Sequence, residues 1–224
     1  MSESPAPGAR PAGRRQPGRP RLVESRSPGR SARDEILEAC AELFIKNGYT
    51  KTSTRMIAEA VGIRQASIYH HFENKDDILD ALLKTTVAPS LERARELLAQ
   101  PGDPLDRLLR LARFDVAQLV EAEWNLGALY LLPEVREPRF ADFRAARRAL
   151  AGVYEELAVE VLGDRDDDRR LLPHLLVESS IMLRTDESGG EPEGLSATAP
   201  IAAAAVIETV VGAVETLLRV ARKG

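Results

Sequence analysis

Residues 54–72, which read TRMIAEAVGIRQASIYHHF, decide the fold of this chain. Apolar residues spaced by four on each side of Gly62 predict two short amphipathic helices, because positions four apart share one helix face. These residues are Ile57 and Val61 before the glycine, and Ile68 and Phe72 after it. Glycine can take the left-handed conformation that ends the first helix without a Cβ clash. The stretch therefore predicts a helix-turn-helix.

The second helix of this motif presents a polar face opposite its apolar side. The helical period places Ala66, Tyr69 and His70 on that outer face, which would enter the major groove of double-stranded DNA. Arg55 lies in the first turn of the preceding helix, where it can reach phosphate, and we expect Lys75 to bind the DNA backbone. The complete set of predicted DNA-binding residues is Thr54, Arg55, Arg64, Gln65, Ala66, Ser67, Tyr69, His70 and Lys75.

The same tract, extended to residues 33–83, resembles the TetR family of bacterial transcriptional repressors. The resemblance rests on ILEACAELFIKNGYTKTSTRMIAEAVG, on SIYHHF after it, and on NKDDILDALL. One departure is Arg64, where the family usually has a Ser or Thr that caps the recognition helix. An arginine cannot accept hydrogen bonds from the free N–H groups of a helix start, so water or DNA phosphate would have to satisfy them.

The composition predicts an all-α protein. Aromatic residues make up only 4% of the 224 residues, and Ala, Leu, Glu and Arg dominate long periodic runs. Caps and turn signals predict nine or ten helices, with a break at Ala88-Pro89, because a proline disfavours helix at the residue before it. We expect three parts: a disordered basic arm (1–30), a helix-turn-helix DNA-binding domain (31–87), and a helical ligand-binding and dimerisation domain (88–224).

Charge is distributed unevenly along the chain. The formal net charge is −4, but residues 1–30 carry seven Arg and two Glu, and residues 31–80 carry six basic and nine acidic side chains. Contact with DNA must therefore come from local placement and from the arm. Residues 1–30 are either a solvated tail or a basic arm that follows the DNA backbone. Residues 184–199 are predicted to form an acidic loop.

Other classes of protein find little support in the sequence. Cys40 is the only cysteine, and we expect a packed thiol. His70 and His71 diverge around their helix, so they cannot bind one metal ion together, and no phosphate-binding loop or nucleophile elbow occurs. We expect no cofactor, no metal and no enzymatic activity. The start lacks a signal peptide and no apolar run is long enough to span a membrane, which predicts a cytoplasmic protein.

The last two long helices carry apolar stripes at helical spacing. In the TetR family the corresponding helices pack with the same pair of a second subunit, which implies a homodimer. The alternative is that both stripes face their own domain. A two-fold dimer would match a two-fold operator. The predicted interface residues are Leu172, Leu175, Leu176, Ser179, Leu183, Ile207, Val211, Val214 and Leu218.

The resemblance also implies a ligand pocket among the middle helices. Apolar cavities with few polar groups suit small amphipathic or hydrophobic molecules. Asp115 shares a helix face with Leu111 and Leu119, and we expect this carboxylate at a solvated edge of the domain. The predicted pocket residues are Phe114, Glu121, Trp124, Asn125, Tyr130, Phe143, Tyr154 and His174.

These observations favour a ligand-responsive repressor that leaves a palindromic operator when a small molecule fills the pocket. Two alternatives stay open. One is a small-molecule binding or sequestering protein whose head does not bind an operator. The other is a transcriptional activator of the same fold, or a repressor that needs a corepressor, and the sequence does not distinguish these.

Overall fold

The computed structural model describes residues 31–183 and 202–220. The predicted basic arm and acidic loop lie outside these residues. The described ranges contain eight α-helices, four short 3-10 helices and no strand, which confirms the all-α prediction. The α-helices are α1 (Ala32–Asn47), α2 (Thr54–Val61), α3 (Gln65–Ile68), α4 (Lys75–Ala99), α5 (Pro104–Glu121), α6 (Ala141–Leu162), α7 (Leu172–Leu183) and α8 (Ala203–Arg219).

Side-chain caps set the starts of three of the first four helices. Ser31, Ser53 and Asn74 each accept a hydrogen bond from a backbone N–H in the first turn of α1, α2 and α4. Gly62 ends α2 with φ 75° and ψ 30°, the predicted left-handed conformation. The helix-turn-helix is therefore specified by local chemistry. We call α1 to α3 and the first turns of α4, through Leu83, the head.

The predicted break at Ala88-Pro89 is wrong, because α4 continues through Pro89 to Ala99. A proline inside a helix removes one N–H donor and leaves the carbonyl four residues earlier without its helical partner. That carbonyl belongs to Thr85, and both Thr85 and Pro89 are exposed, so water can bind the free oxygen. The boundary expected at residue 87 therefore falls inside one continuous helix.

Two hydrophobic clusters form the interior. One fills the head and extends to residues 129–143, while the other is built from the second half of α4 with α5, α6, α7 and α8. Three 3-10 helices, Leu126–Leu131, Pro133–Arg136 and Pro138–Phe140, form what we call the 3-10 segment. Leu129, Val135 and Phe140 of this segment are buried in the head cluster, so the segment joins the head to the other helices.

The two final helices bury different proportions of their apolar residues. α8 packs on α5 and α7, with Val214 fully buried between them. α7 instead leaves Leu172, Leu175 and Leu183 exposed. A fourth 3-10 helix, Asp168–Leu171, leads into α7.

Candidate DNA-binding surface and ligand cavity

The outer face of α3 has the exposure that its sequence predicts. Ile68 and Phe72 are buried, whereas Ala66, Tyr69 and His70 are exposed. α3 is short, but a hydrogen bond of 3.0 Å from the Phe72 N–H to the Ile68 carbonyl continues the helical pattern beyond it. The element is therefore anchored by two apolar side chains and presents its remaining residues to solvent.

A small polar cluster connects α2 to this surface. The Gln65 side-chain amide donates a hydrogen bond of 2.8 Å to Oγ1 of Thr54, and the hydroxyl of Tyr69 lies 3.3 Å from the same oxygen. These three residues are therefore adjacent at the exposed surface, and their contact with DNA stays a prediction. Ser67 is only partly exposed and lies on the flank of the face.

The three basic residues predicted to bind DNA have different environments. Arg55 is exposed but its Nε donates to Glu59 over 2.8 Å, so it would have to exchange that carboxylate for a phosphate. Arg64 is exposed and makes no side-chain cap at the start of α3. Lys75 Nζ donates to the carbonyls of Tyr49 and Thr52 at 2.8 and 3.0 Å.

Lys75 is thus mainly a structural residue of the head. Its ammonium also lies 4.1 Å from the centre of the Tyr49 ring, a distance typical of a cation–π contact. With two of its three protons donated within the head, little remains for phosphate. Its predicted contact with DNA stays a prediction. The sequence could not reveal this, because the accepting carbonyls lie 23 and 26 residues away in the chain.

A cavity of about 190 Å³ lies among α4, α5, α6, α7 and the start of the 3-10 segment. Trp124, Tyr130 and His174 line it, as predicted. Phe143 and Tyr154 are fully buried behind its wall, where the Phe143 ring packs at a tilt against Tyr130 with ring centres 5.2 Å apart. The predicted aromatic surroundings are therefore present, but only part of them can contact a ligand.

Three predicted pocket residues do not line the cavity. Phe114 is partly buried elsewhere on α5, and Glu121 is exposed at the end of that helix. Asn125 is buried, but its amide donates to the Ile181 carbonyl over 3.1 Å and so ties the 3-10 segment to α7. Helical spacing identified a region rich in aromatic residues, but it did not determine which side of each helix faces the cavity.

The expectation that Asp115 lies at a solvated edge of the domain is wrong. Asp115 is 3% exposed and lines the cavity. The Tyr154 hydroxyl donates to its Oδ2 over 2.7 Å. Burial raises the pKa of Asp115 to about 6, although the Tyr154 and Ser90 hydroxyls oppose the shift. The signal in the sequence was its position between Leu111 and Leu119 on an apolar face.

An ion pair on the cavity wall was not predicted. Arg147 of α6 donates from Nε to Glu178 of α7 over 3.0 Å, with a second, shorter contact from the same guanidinium. His174 lies 3.8 Å from the same carboxylate, and burial lowers the pKa of this imidazole. Residues 31 positions apart form the pair, so no local pattern could indicate it.

Polar side chains from two other helices complete the wall. Gln118 of α5 donates to the Ser90 hydroxyl of α4 over 2.9 Å, and the hydroxyl of Thr86 lies 2.5 Å from that of Tyr130. All four residues line the cavity. The cavity is therefore more polar than the sequence indicated.

The predicted dimer residues divide between two environments. Leu172, Leu175, Ser179 and Leu183 of α7 are exposed, and Leu176 is partly buried, so this stripe is available to a partner. The α8 stripe is instead buried in the subunit's own core, and its assignment to an interface is corrected. Its members are Ile207, Val211, Val214 and Leu218. Periodicity identifies an apolar face, but α8 needs that face to cover α5.

The described residues contain neither a cluster of metal-binding side chains nor a membrane-spanning helix. In residues 31–183 and 202–220, no three His, Cys, Asp or Glu side chains lie together in a way that could hold a metal ion. None of the helices in these ranges has the length and apolar character needed to cross a membrane. Cys40 is buried, as expected, and burial raises the pKa of its thiol to about 12.

Comparisons with known proteins identify the family. The profile described as "Bacterial regulatory proteins, tetR family" matches residues 36–82. The chain is 36% identical over 90 residues to the HTH-type transcriptional repressor KstR2 of Mycobacterium tuberculosis (strain ATCC 25618 / H37Rv). That match covers 39% of this chain and 45% of KstR2, so the chain spans about half the length of this curated relative.

Similarity to solved structures extends over most of the chain. Mycobacterium smegmatis AmtR is 45% identical, with a TM-score of 0.73 over 89% of this chain and 92% of that one. A regulator of the TetR/AcrR family from Thermobifida fusca YX-ER1 is 26% identical, with a TM-score of 0.55 over 85% of this chain and 98% of that one. With its helix-turn-helix head and its helical second cluster, the chain belongs to the TetR family of bacterial regulatory proteins.

Proposed function

We propose that this protein is a ligand-responsive, DNA-binding transcriptional repressor that acts in the cytoplasm as a homodimer. In this proposal residues 31–87 bind a palindromic operator, residues 88–224 bind a second subunit and, with Thr86 and Val87 of α4, a small molecule, and filling the cavity releases the DNA. KstR2 is named a transcriptional repressor, and this similarity supports the proposed direction of regulation.

The observation that carries the proposal is the continuity of α4. Its first turn holds the head together through Lys75, and its middle supplies Thr86, Val87 and Ser90 to the cavity wall. A displacement of α4 by a ligand would therefore move the head. In a dimer, the two recognition helices must lie about 34 Å apart to enter successive major grooves. A small rotation of each head changes this spacing.

The 3-10 segment and the residues just before it provide a second connection between cavity and head. Trp124 lines the cavity, and Lys46 of α1 lies 4.9 Å from its ring centre on the head side. Tyr130 lines the cavity and contacts α4 through Thr86. A ligand that moves either aromatic ring would alter contacts made by the head. Release requires that the ligand bind the DNA-free arrangement more tightly than the DNA-bound one.

The exposed leucines of α7 support the homodimer. Single exposed apolar residues are common on protein surfaces, but a stripe of several on one helix marks an interaction site. On the neighbouring helix α8, Ala205, Thr209 and Ala213 are exposed, and such small side chains allow a partner helix to approach closely. A two-fold arrangement would present two α3 helices to the two halves of an operator.

A gel-shift experiment tests the proposed function. The probe is the DNA flanking the protein's own gene, with a scrambled fragment of equal length as the control. We expect the full chain to bind the flanking DNA in preference to the scrambled fragment. In nuclease footprinting of the bound fragment, it should protect two half-sites about one helical turn apart. Equal affinity for both fragments would contradict operator recognition.

A further inference from the structure

One oxygen of a buried carboxyl group has no hydrogen-bond partner at the cavity. Asp115 is only 3% exposed, and its Oδ2 accepts a hydrogen bond from the Tyr154 hydroxyl. Oδ1 is buried and no hydrogen bond reaches it; the Ser90 hydroxyl is close enough to lower the pKa of the carboxyl, but it does not form a hydrogen bond with Oδ1. Because burying an unpaired charged group is costly, proteins usually provide a partner for it. Here the residue lines a cavity, so the partner can come from a ligand.

The other charges of the cavity wall leave this carboxylate uncompensated. Arg147 is paired with Glu178, and burial lowers the pKa of His174, which disfavours its cationic form. Within residues 31–183 and 202–220, no Lys or Arg forms a salt bridge with Asp115. With Asp115 ionised and His174 neutral, the cavity wall therefore carries one net negative charge.

The size of the cavity and its aromatic lining narrow the class of ligand. A volume of about 190 Å³ admits a small molecule but is below the range of about 300–1,000 Å³ usual for drug-sized ligands. Trp124 and Tyr130 contribute aromatic surface to it. Aromatic faces attract organic cations, and the guanidinium of Arg147 already lies 4.8 Å from the Tyr130 ring centre.

We propose that the effector of this protein is a small organic cation whose positively charged nitrogen binds Oδ1 of Asp115, beside Trp124 and Tyr130. This inference rests on the proposed function and specifies its ligand. A protonated amine would supply the missing hydrogen-bond donor and neutralise the buried charge in one contact, and charge-assisted hydrogen bonds of this kind are the strong ones. The ligand expected from the sequence was only small and amphipathic or hydrophobic.

The test compares two probes of nearly equal shape. Benzylamine is protonated at neutral pH, whereas benzyl alcohol is neutral. Trp124 is the chain's only tryptophan and lines the cavity, so its fluorescence reports directly on binding there. At pH 7.5 we expect benzylamine to bind the full-length protein at least tenfold more tightly than benzyl alcohol.

Two variants test whether the preference for benzylamine comes from the Asp115 carboxyl group. Asp115→Asn keeps the shape of the side chain but removes its charge, and it should reduce the preference to about one. Asp106→Asn removes an equal charge from the exposed side of the same helix α5, and it should preserve the preference. Equal binding of the two probes to the unaltered protein, or an unchanged preference in Asp115→Asn, would overturn the proposal.

A pH series tests the same point without a variant. Benzylamine stays protonated between pH 5 and 8, while protonation of Asp115 should weaken its binding at the lower end. The groups facing Asp115 are the Ser90, Tyr154 and Gln118 side chains, with Arg147, His174 and Glu178 elsewhere on the wall. Because His174 could also gain a proton, the series is repeated with Asp115→Asn, in which the loss at low pH should disappear. A pH-independent preference in the unaltered protein would contradict a role for Asp115.

Failure of this inference differs from failure of the proposed function. Tighter binding of benzoate than of benzylamine would identify an anion site at Arg147 and overturn the proposal of a cationic effector. Operator binding in the gel shift would still stand. Absence of operator binding would remove the regulatory role, yet the fluorescence preference for benzylamine would still report the chemistry of the cavity.

Discussion

At the scale of single residues, the buried carboxyl of Asp115 should make stability depend on pH. Its pKa rises from 3.8 to about 6 on folding, so the native state holds the proton more tightly than the unfolded state. The free energy of unfolding should therefore rise as pH falls from about 7 to about 4, by about 2 to 3 kcal/mol from this group. Above pH 6 the native state bears the cost of the buried charge.

Urea unfolding of the unaltered protein and of Asp115→Asn across this pH range measures the contribution. The difference in stability between them should shift by that amount in favour of the unaltered protein as pH falls. The asparagine amide does not titrate, so its own effect on the free energy of unfolding is the same at every pH and cancels in this comparison. Asp106→Asn, on the exposed side of α5, should follow the profile of the unaltered protein. If the stability of Asp115→Asn varied with pH in parallel with that of the unaltered protein, the Asp115 carboxyl would have the same pKa in the native and unfolded states.

Tyr69 permits a second prediction at this scale, because exposure separates DNA contact from packing. Its side chain is 51% exposed on α3, so Tyr69→Ala should change the melting temperature little. Operator affinity in a gel shift should fall by at least tenfold, since a side chain on the recognition face is lost. Leu131→Ala removes an apolar side chain that is 68% exposed outside α3, and it should change neither quantity. If Tyr69→Ala lost stability and binding together, the side chain would be part of the core.

At the scale of elements, the proline inside α4 predicts a stabilising substitution. Pro89→Ala restores an N–H that can donate to the Thr85 carbonyl, and a proline in a helix interior costs about 3 kcal/mol relative to alanine. Because the exposed Pro89 gives up little packing, we expect the free energy of unfolding to rise by about 1 to 3 kcal/mol. Urea unfolding measures this change.

Pro104 offers the matched control for Pro89. It is the first residue of α5, where its missing N–H has no helical partner and its fixed φ suits the helix start. Pro104→Ala should therefore bring no gain in stability. A gain of equal size at both positions would mean that the effect of Pro89→Ala does not come from the restored hydrogen bond. If α4 transmits the ligand signal, the stiffer Pro89→Ala helix should also need more ligand for operator release.

At the scale of the whole molecule, the α7 stripe predicts how the subunits associate. Leu175 is 57% exposed within one subunit, so Leu175→Glu should leave the subunit folded. Burying that charge between two subunits would be costly, and we expect native mass spectrometry to show monomers where the unaltered protein shows dimers. Operator affinity should fall with the loss of the second head. Leu131→Glu introduces the same charge at another exposed site and should remain dimeric.

A dimeric Leu175→Glu protein would place the interface elsewhere. The α8 face that carries Ala205, Thr209 and Ala213 would then be the surface to examine. Substitution of the buried Val214 is not informative here, because it would damage the core of the subunit itself.

The sequence by itself determined the head, because the information that specifies it is local. Apolar residues four apart fix which sides of α2 and α3 are buried, and Ser31, Ser53 and Asn74 satisfy N–H groups within the next turn. Gly62 supplies the left-handed turn that the motif requires. Each of these interactions spans a few residues, so the pattern of residue types is sufficient to predict it.

Only the tertiary structure decided the arrangement of the remaining helices. Packing around α4 maintains its helix through Pro89, against the local preference of the chain for a break. The orientation of α8 towards α5 buries a stripe that periodicity alone could equally have assigned to a partner. The cavity joins Asp115, Arg147 and Glu178 from three helices. Contacts between residues so distant in the chain depend on how helices are placed, and a helical repeat carries no information about that placement.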